Sequence, residues 1–139
     1  MNTANTPTSP QRSRYFLPLF LAACWNVVIG GLIGLNLKLI SPWLFVQPHP
    51  LAAIFNDQAF WTLVVAFGIG YGVAAFYHHR CRLFLSVGGV LKIILFSAFA
   101  YLWAEGVITT LFLMAGVGDF LWALYFFWFL QQTKEYGYW

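Results

Sequence analysis

The sequence is short of charge. Asp, Glu, Lys and Arg make up 8% of its 139 residues, against roughly 25% in soluble globular domains. Acids are scarcest, with four Asp and Glu against seven Lys and Arg, for a formal net charge of +3. That small excess does not describe a nucleic-acid binder, which needs a basic stripe on an exposed face. Cysteine is scarce too. Cys24 and Cys81 are the only two, one in an apolar run and one in a basic loop, so they form neither a disulfide framework nor a zinc box. No haem, P-loop or nucleophile-elbow pattern is present. No catalytic residue, metal ligand or cofactor is therefore assigned.

What fills the chain instead is apolar. Hydrophobic residues reach 61% and aromatics 21%. A chain of this length makes one domain, and a small domain leaves much of its surface exposed. So much apolar surface requires lipid as the solvent. The expected fold is an all-α membrane protein, an antiparallel bundle of four transmembrane helices, since helices satisfy their own backbone polar groups inside a bilayer.

The spans are read at about 15–40, 59–77, 83–103 and 107–130, each near the ~20 residues that cross the hydrocarbon core. Residues 1–14, rich in Thr, Ser, Asn, Gln and Pro, read as a disordered tail, and 132–139 as a second tail. Pro18 falls in the first turn of the first helix, where proline is tolerated. Leu21-Ala22-Ala23-Cys24 looks like a lipoprotein cleavage box. However, the apolar run continues through Trp25 to Leu35, too long for a signal peptide. Ser41–Gln58, with Pro42, Pro48, His49 and Pro50, reads as the longest loop and the most mobile, a segment fit to act as a lid. A tight turn is expected at Ala104-Glu105-Gly106. Arg12, Arg14, Arg80, Arg82 and Lys134 fall on one side of these spans, and Lys38, Asp57 and Glu105 on the other. The positive-inside rule then makes both termini cytoplasmic.

Two charges stand inside apolar helices. Lys92 lies ~14 Å along the third span from its cytoplasmic end and Asp119 ~17 Å from that of the fourth, at 1.5 Å per residue. Each alone costs ~2.5–3.5 kcal/mol on insertion scales, so a buried Lys92–Asp119 pair is the economical arrangement. Asn26 on the first span, ~17 Å deep, and Tyr71 on the second lie at comparable depth. Lys92, Asp119, Asn26 and Tyr71 are thus the candidate site, either as a ligand-binding position or as a structural ion pair with its hydrogen-bonding partners. His78 and His79, adjacent in sequence, chelate poorly from a helix and read as part of a basic anchor beside Arg80 and Arg82. The run Leu124–Phe129 reads as a lipid-facing aromatic belt.

The order Trp25-Asn26 with Gly30, then Gly68-x-Gly70-Tyr71, Gly88-Gly89-x-x-Lys92 and Gly118-Asp119-x-x-Trp122 resembles a group of small bacterial four-helix membrane proteins of the DoxX-like type, over about residues 15–131. The resemblance implies a compact bundle with Lys92 and Asp119 facing inward, in a bacterial inner membrane. It implies no activity, and no redox role is carried over from the quinol oxidase subunit behind the name.

Three function classes remain. One is a binding or accessory protein that holds a small apolar molecule or docks beside a larger membrane complex. The others are an oligomeric or proton-coupled carrier and an enzyme acting on a lipid- or quinone-like substrate. The first is favoured, because the chain has room for one pocket and shows no catalytic set. Its partners are then the bilayer, a small apolar ligand or a larger complex, and, given the glycines, a second copy of itself.

Overall fold

A computed structural model describes residues 14–47 and 54–136. The described residues are helical throughout, apart from turns and one isolated bridge. The elements are α1 (Phe16–Leu35), α2 (Leu37–Leu44), α3 (Ile54–Phe76), α4 (Arg82–Ala104), α5 (Thr110–Gln132) and a 3-10 turn at Lys134–Tyr136. Four of them, α1, α3, α4 and α5, are long and apolar enough to cross a membrane. This is the helical bundle of a multi-pass membrane protein. Residues 1–13, 48–53 (with Pro48, His49 and Pro50) and 137–139 lie outside the described residues. Nearly all of the first expected tail lies there, whereas the second begins within the structure, with Gln132 in α5 and Lys134–Tyr136 in the 3-10 turn.

The first expected span, 15–40, is two helices. The Asn36 amide donates to the Leu32 carbonyl at 2.9 Å and its backbone N–H turns to Ile33. A short amide side chain thus competes with the helical ladder, and the helix stops there. The chain then re-enters helix as α2, whose Leu37 and Leu44 are buried while Leu39 and Trp43 are exposed. The expected long loop Ser41–Gln58 is correspondingly shorter. Its first residues belong to α2 and its last to α3, which starts at Ile54 rather than at position 59. Pro42 sits inside α2.

The segment after α2 is fastened. Phe45 bridges Ile108, the Val46 N–H donates to the Val107 carbonyl at 3.0 Å, and the Thr109 N–H donates to Leu44 at 2.8 Å. The Thr109 hydroxyl donates to the Trp43 carbonyl at 2.6 Å and accepts from the N–H of Phe112 as the cap of α5. These bonds explain why the fourth span begins at Thr110, later than the expected 107. The expected tight turn is present. The Gly106 N–H donates to Trp103 and the Val107 N–H to Leu102, with Gly106 at φ 69°. This is a Schellman close, in which the left-handed residue is glycine because a Cβ would be strained there.

In lipid, apolar side chains gain little from leaving the solvent, so helices associate through close packing and small residues. The closest approaches are α1 with α3 and α4 with α5, while α3 and α4 come near each other at few positions. Small residues set the first of these. A Cβ at Gly34 would stand 2.9 Å from Trp61 Cβ, and one at Gly68 would stand 3.0 Å from the Val27 backbone nitrogen. Two apolar clusters result. One gathers Leu19, Ala22, Tyr71, Leu85, Phe126 and Phe129. The other gathers Ile33, Leu44, Trp61, Phe99, Ile108 and Phe112.

Candidate functional site

The polar residues fall in the gap between the two clusters. Lys92 is midway along α4 between Leu85 and Phe99, and Asp119 is midway along α5 between Phe112 and Phe126. Asn26 falls between Ala23 and Ile33 of α1. Each helix brings an apolar residue to both clusters, so the side chains between them meet in one layer.

In that layer the Lys92 ammonium forms a salt bridge to Asp119 Oδ1 and donates to Asn26 Oδ1 at 2.9 Å. The Asn26 amide nitrogen donates onward to the Val64 carbonyl of α3 at 3.3 Å. A chain of polar contacts thereby runs α5–α4–α1–α3. Lys92 and Asn26 are each only 4% exposed. Of the four residues expected to converge, Lys92, Asp119 and Asn26 are linked by hydrogen bonds. Tyr71 joins through its ring, whose centre is 5.5 Å from the Lys92 nitrogen, a cation–π distance.

Tyr71 is 1% exposed. Its ring packs against Phe126 at 4.8 Å and Phe84 at 5.5 Å. The hydroxyl lies against α4 at Gly88, where a Cβ would stand 2.5 Å from it. Only a residue without a side chain leaves room for the phenol there. Among the described residues that hydroxyl has no hydrogen-bond partner.

A cavity of about 250 Å³ opens between α3 and α4 at this level. Phe60, Phe67, Leu91 and Leu95 are among its apolar walls, and Asn26, Tyr71, Lys92 and Asp119 are its polar lining. Leu63, Leu91 and Ile94, which also line it, are 56%, 43% and 58% exposed on the outer surface. The cavity is therefore a crevice with its mouth among residues facing lipid. A second cavity of about 20 Å³, bordered by Trp25, Ile29, Trp61 and Asp119, has a volume of about one water molecule.

Sequence reasoning missed a further polar group, at the end of the bundle where α1 and α4 begin and α3 and α5 end. Arg82, expected as a solvated anchor, is 1% exposed. It donates to the Thr133 hydroxyl and to the Leu130 carbonyl at 3.1 Å, clasping the end of α5. His78 is also buried, with ring centres 5.9 Å from Tyr15 and 6.1 Å from Phe129. Burial, and then the neighbouring His79, lower its pKa below the ordinary value. Burial likewise pushes the Cys81 thiol up. Cys24 and Cys81 are both free. Among the described residues no cluster of three or more His, Cys, Asp or Glu is positioned to hold a metal. The expected aromatic belt is divided: Phe126 and Phe129 are fully buried in the core, while Leu124 and Trp128 face outward.

No family model, curated protein or solved structure matches the chain.

Proposed function

We propose that the protein is a membrane-embedded binding protein that admits a small amphiphile sideways from the bilayer into the crevice between α3 and α4. The observation that carries this reading is the crevice itself. It has apolar walls, a polar floor at Lys92 and Asp119, and a mouth bordered by the outward-facing Leu63, Leu91 and Ile94. Ligand sites are commonly apolar concavities with a few convergent polar groups, and helix bundles place them between helices. The volume of about 250 Å³ exceeds the ~150 Å³ in which an apolar cavity takes up benzene, so a substituted ring or a short chain with its head group fits.

The charges are read as the floor of the site rather than as its chemistry. A carrier would be expected to show discontinuous helices at the midplane, whereas α3, α4 and α5 run unbroken past the polar layer. A catalytic acid or base needs a group free to exchange a proton, and Lys92 and Asp119 satisfy one another. The chain is oriented with Arg14, Arg80, Arg82 and Lys134 toward the cytoplasm, in a bacterial inner membrane. The DoxX-like resemblance agrees with this architecture and adds no activity to it.

The test is native mass spectrometry of protein extracted from its membrane, beside a variant in which Ala98, a lining residue of the crevice, is replaced by Trp. The wild type is expected to carry a bound small molecule and Ala98→Trp to lose it while remaining folded. Equal occupancy in both would overturn the crevice as the binding site.

A further inference from the structure

We infer that the crevice selects an uncharged head group bearing a carbonyl oxygen, held by the hydroxyl of Tyr71. This rests on the reading of the crevice as an amphiphile site and names the chemistry it would accept.

The first observation is the charge balance of the floor. Lys92 and Asp119 neutralise each other, and the Asn26 amide is engaged at both ends, accepting from Lys92 and donating to Val64. A carboxylate or ammonium head would bring a charge with no counter-charge into a site removed from water, which is strongly unfavourable. A neutral head brings none.

The second observation is what remains unsatisfied. Tyr71 is 1% exposed and borders the crevice, yet its hydroxyl makes no hydrogen bond among the described residues. A polar group that faces hydrocarbon finds no partner there. Gly88 keeps the space beside that hydroxyl clear. Lys92 has three N–H donors, of which Asp119 and Asn26 take two. The groups left over at the polar end of the crevice therefore include two donors, the Tyr71 hydroxyl and the third Lys92 N–H, beside the second carboxylate oxygen of Asp119. A carbonyl oxygen offers two lone pairs and no competing proton, so it can accept from Tyr71 and from Lys92 together.

The test uses three probes of similar shape in nanodiscs: decanophenone, decylbenzene, in which a methylene replaces the carbonyl, and para-decylbenzoate, which is anionic. Wild-type protein is expected to bind decanophenone about tenfold more tightly than decylbenzene, the difference one net hydrogen bond supplies. It should bind para-decylbenzoate more weakly than decanophenone. The infrared stretch of an isotope-labelled carbonyl should move to lower frequency on binding. Tyr71→Phe keeps the ring and removes only the hydroxyl. It should bring decanophenone down toward decylbenzene, weaken the frequency shift and leave decylbenzene binding intact, which also shows that the variant is folded. An unchanged ketone preference in Tyr71→Phe, or preferential binding of the carboxylate, would overturn the head-group assignment alone, provided Ala98→Trp still blocks the probes. Binding of every probe unaffected by Ala98→Trp, or no binding at all, would overturn the crevice and this inference together.

Discussion

Lys92 on α4 donates to Asn26 on α1 at 2.9 Å. This bond, with the onward contact from Asn26 to Val64, ties the closely packed pair α4–α5 to the pair α1–α3 in the middle of the bundle. Replacing Asn26 by Leu strands one donor of a buried ammonium, which costs ~1–3 kcal/mol. Thermal denaturation in detergent should show the loss in the wild-type background and little of it when Lys92 is already Met. An equal loss in both backgrounds would mean that Asn26 acts through packing alone.

The Lys92–Asp119 pair is expected to behave as a compensating unit. Lys92→Met leaves a half-buried carboxylate and Asp119→Leu a buried ammonium inside the helical bundle, and breaking a buried pair typically costs ~3–5 kcal/mol. The double replacement removes both charges and should recover much of the stability lost by either single variant. A double variant no more stable than the weaker single one would show that the two charges do not compensate.

Arg82 and Thr133 form a latch at the opposite end of α4 from the Gly106 turn. Thr133→Val preserves shape and removes the acceptor, leaving a buried guanidinium with one partner fewer at ~1–3 kcal/mol. Hydrogen exchange at Phe129, Leu130 and Gln131 should accelerate while exchange around Gly106 stays as it was. Uniform acceleration along the whole chain would instead point to global destabilisation.

Stability should also depend on pH through His78. Its pKa in the folded protein lies below the ordinary 6.5, first because it is buried and second because His79 adjoins it. Between the folded value and 6.5 the unfolded chain binds the proton and the folded one does not, so stability rises with pH across that window. The contribution is full above pH 6.5 and is lost as the pH falls through the folded value. Thermal midpoints of wild type and His78→Gln, measured from pH 7.5 downward, should diverge in slope in that interval; parallel curves would exclude His78 as the group responsible.

Topology is open to labelling. With Cys24 and Cys81 replaced by Ser, single cysteines at positions 80 and 105 should react with an impermeant thiol reagent from opposite faces, position 80 from the cytoplasm. Labelling of position 80 from outside would reverse the orientation.

Much of the architecture was written in the sequence because lipid imposes a simple rule: a span must be apolar for ~20 residues, whatever it packs against. The four spans, the glycine close at Gly106 and the shared depth of Lys92 and Asp119 follow from counting along the chain, since a helix advances a fixed distance per residue. Other features arose only where segments distant in sequence met. Asn36 ends α1 through a local bond that composition does not announce, and the strand-like pairing of Phe45 with Ile108 joins residues on separate connections. Arg82 has the same flanking position as Arg80, yet Arg82 is buried against Thr133 while Arg80 is exposed. Whether a basic residue at a helix start reaches water or a neighbouring helix depends on the rotation of that helix. Phe126 and Trp128 differ in the same way within one aromatic run, because sequence hydrophobicity cannot separate a lipid-facing side from a protein-facing side when both are apolar. The crevice, too, belongs to the tertiary structure alone. It exists because α3 packs on α1 and α4 on α5 more closely than α3 and α4 pack on each other, and pairwise helix spacing is set by contacts that no single stretch of sequence contains.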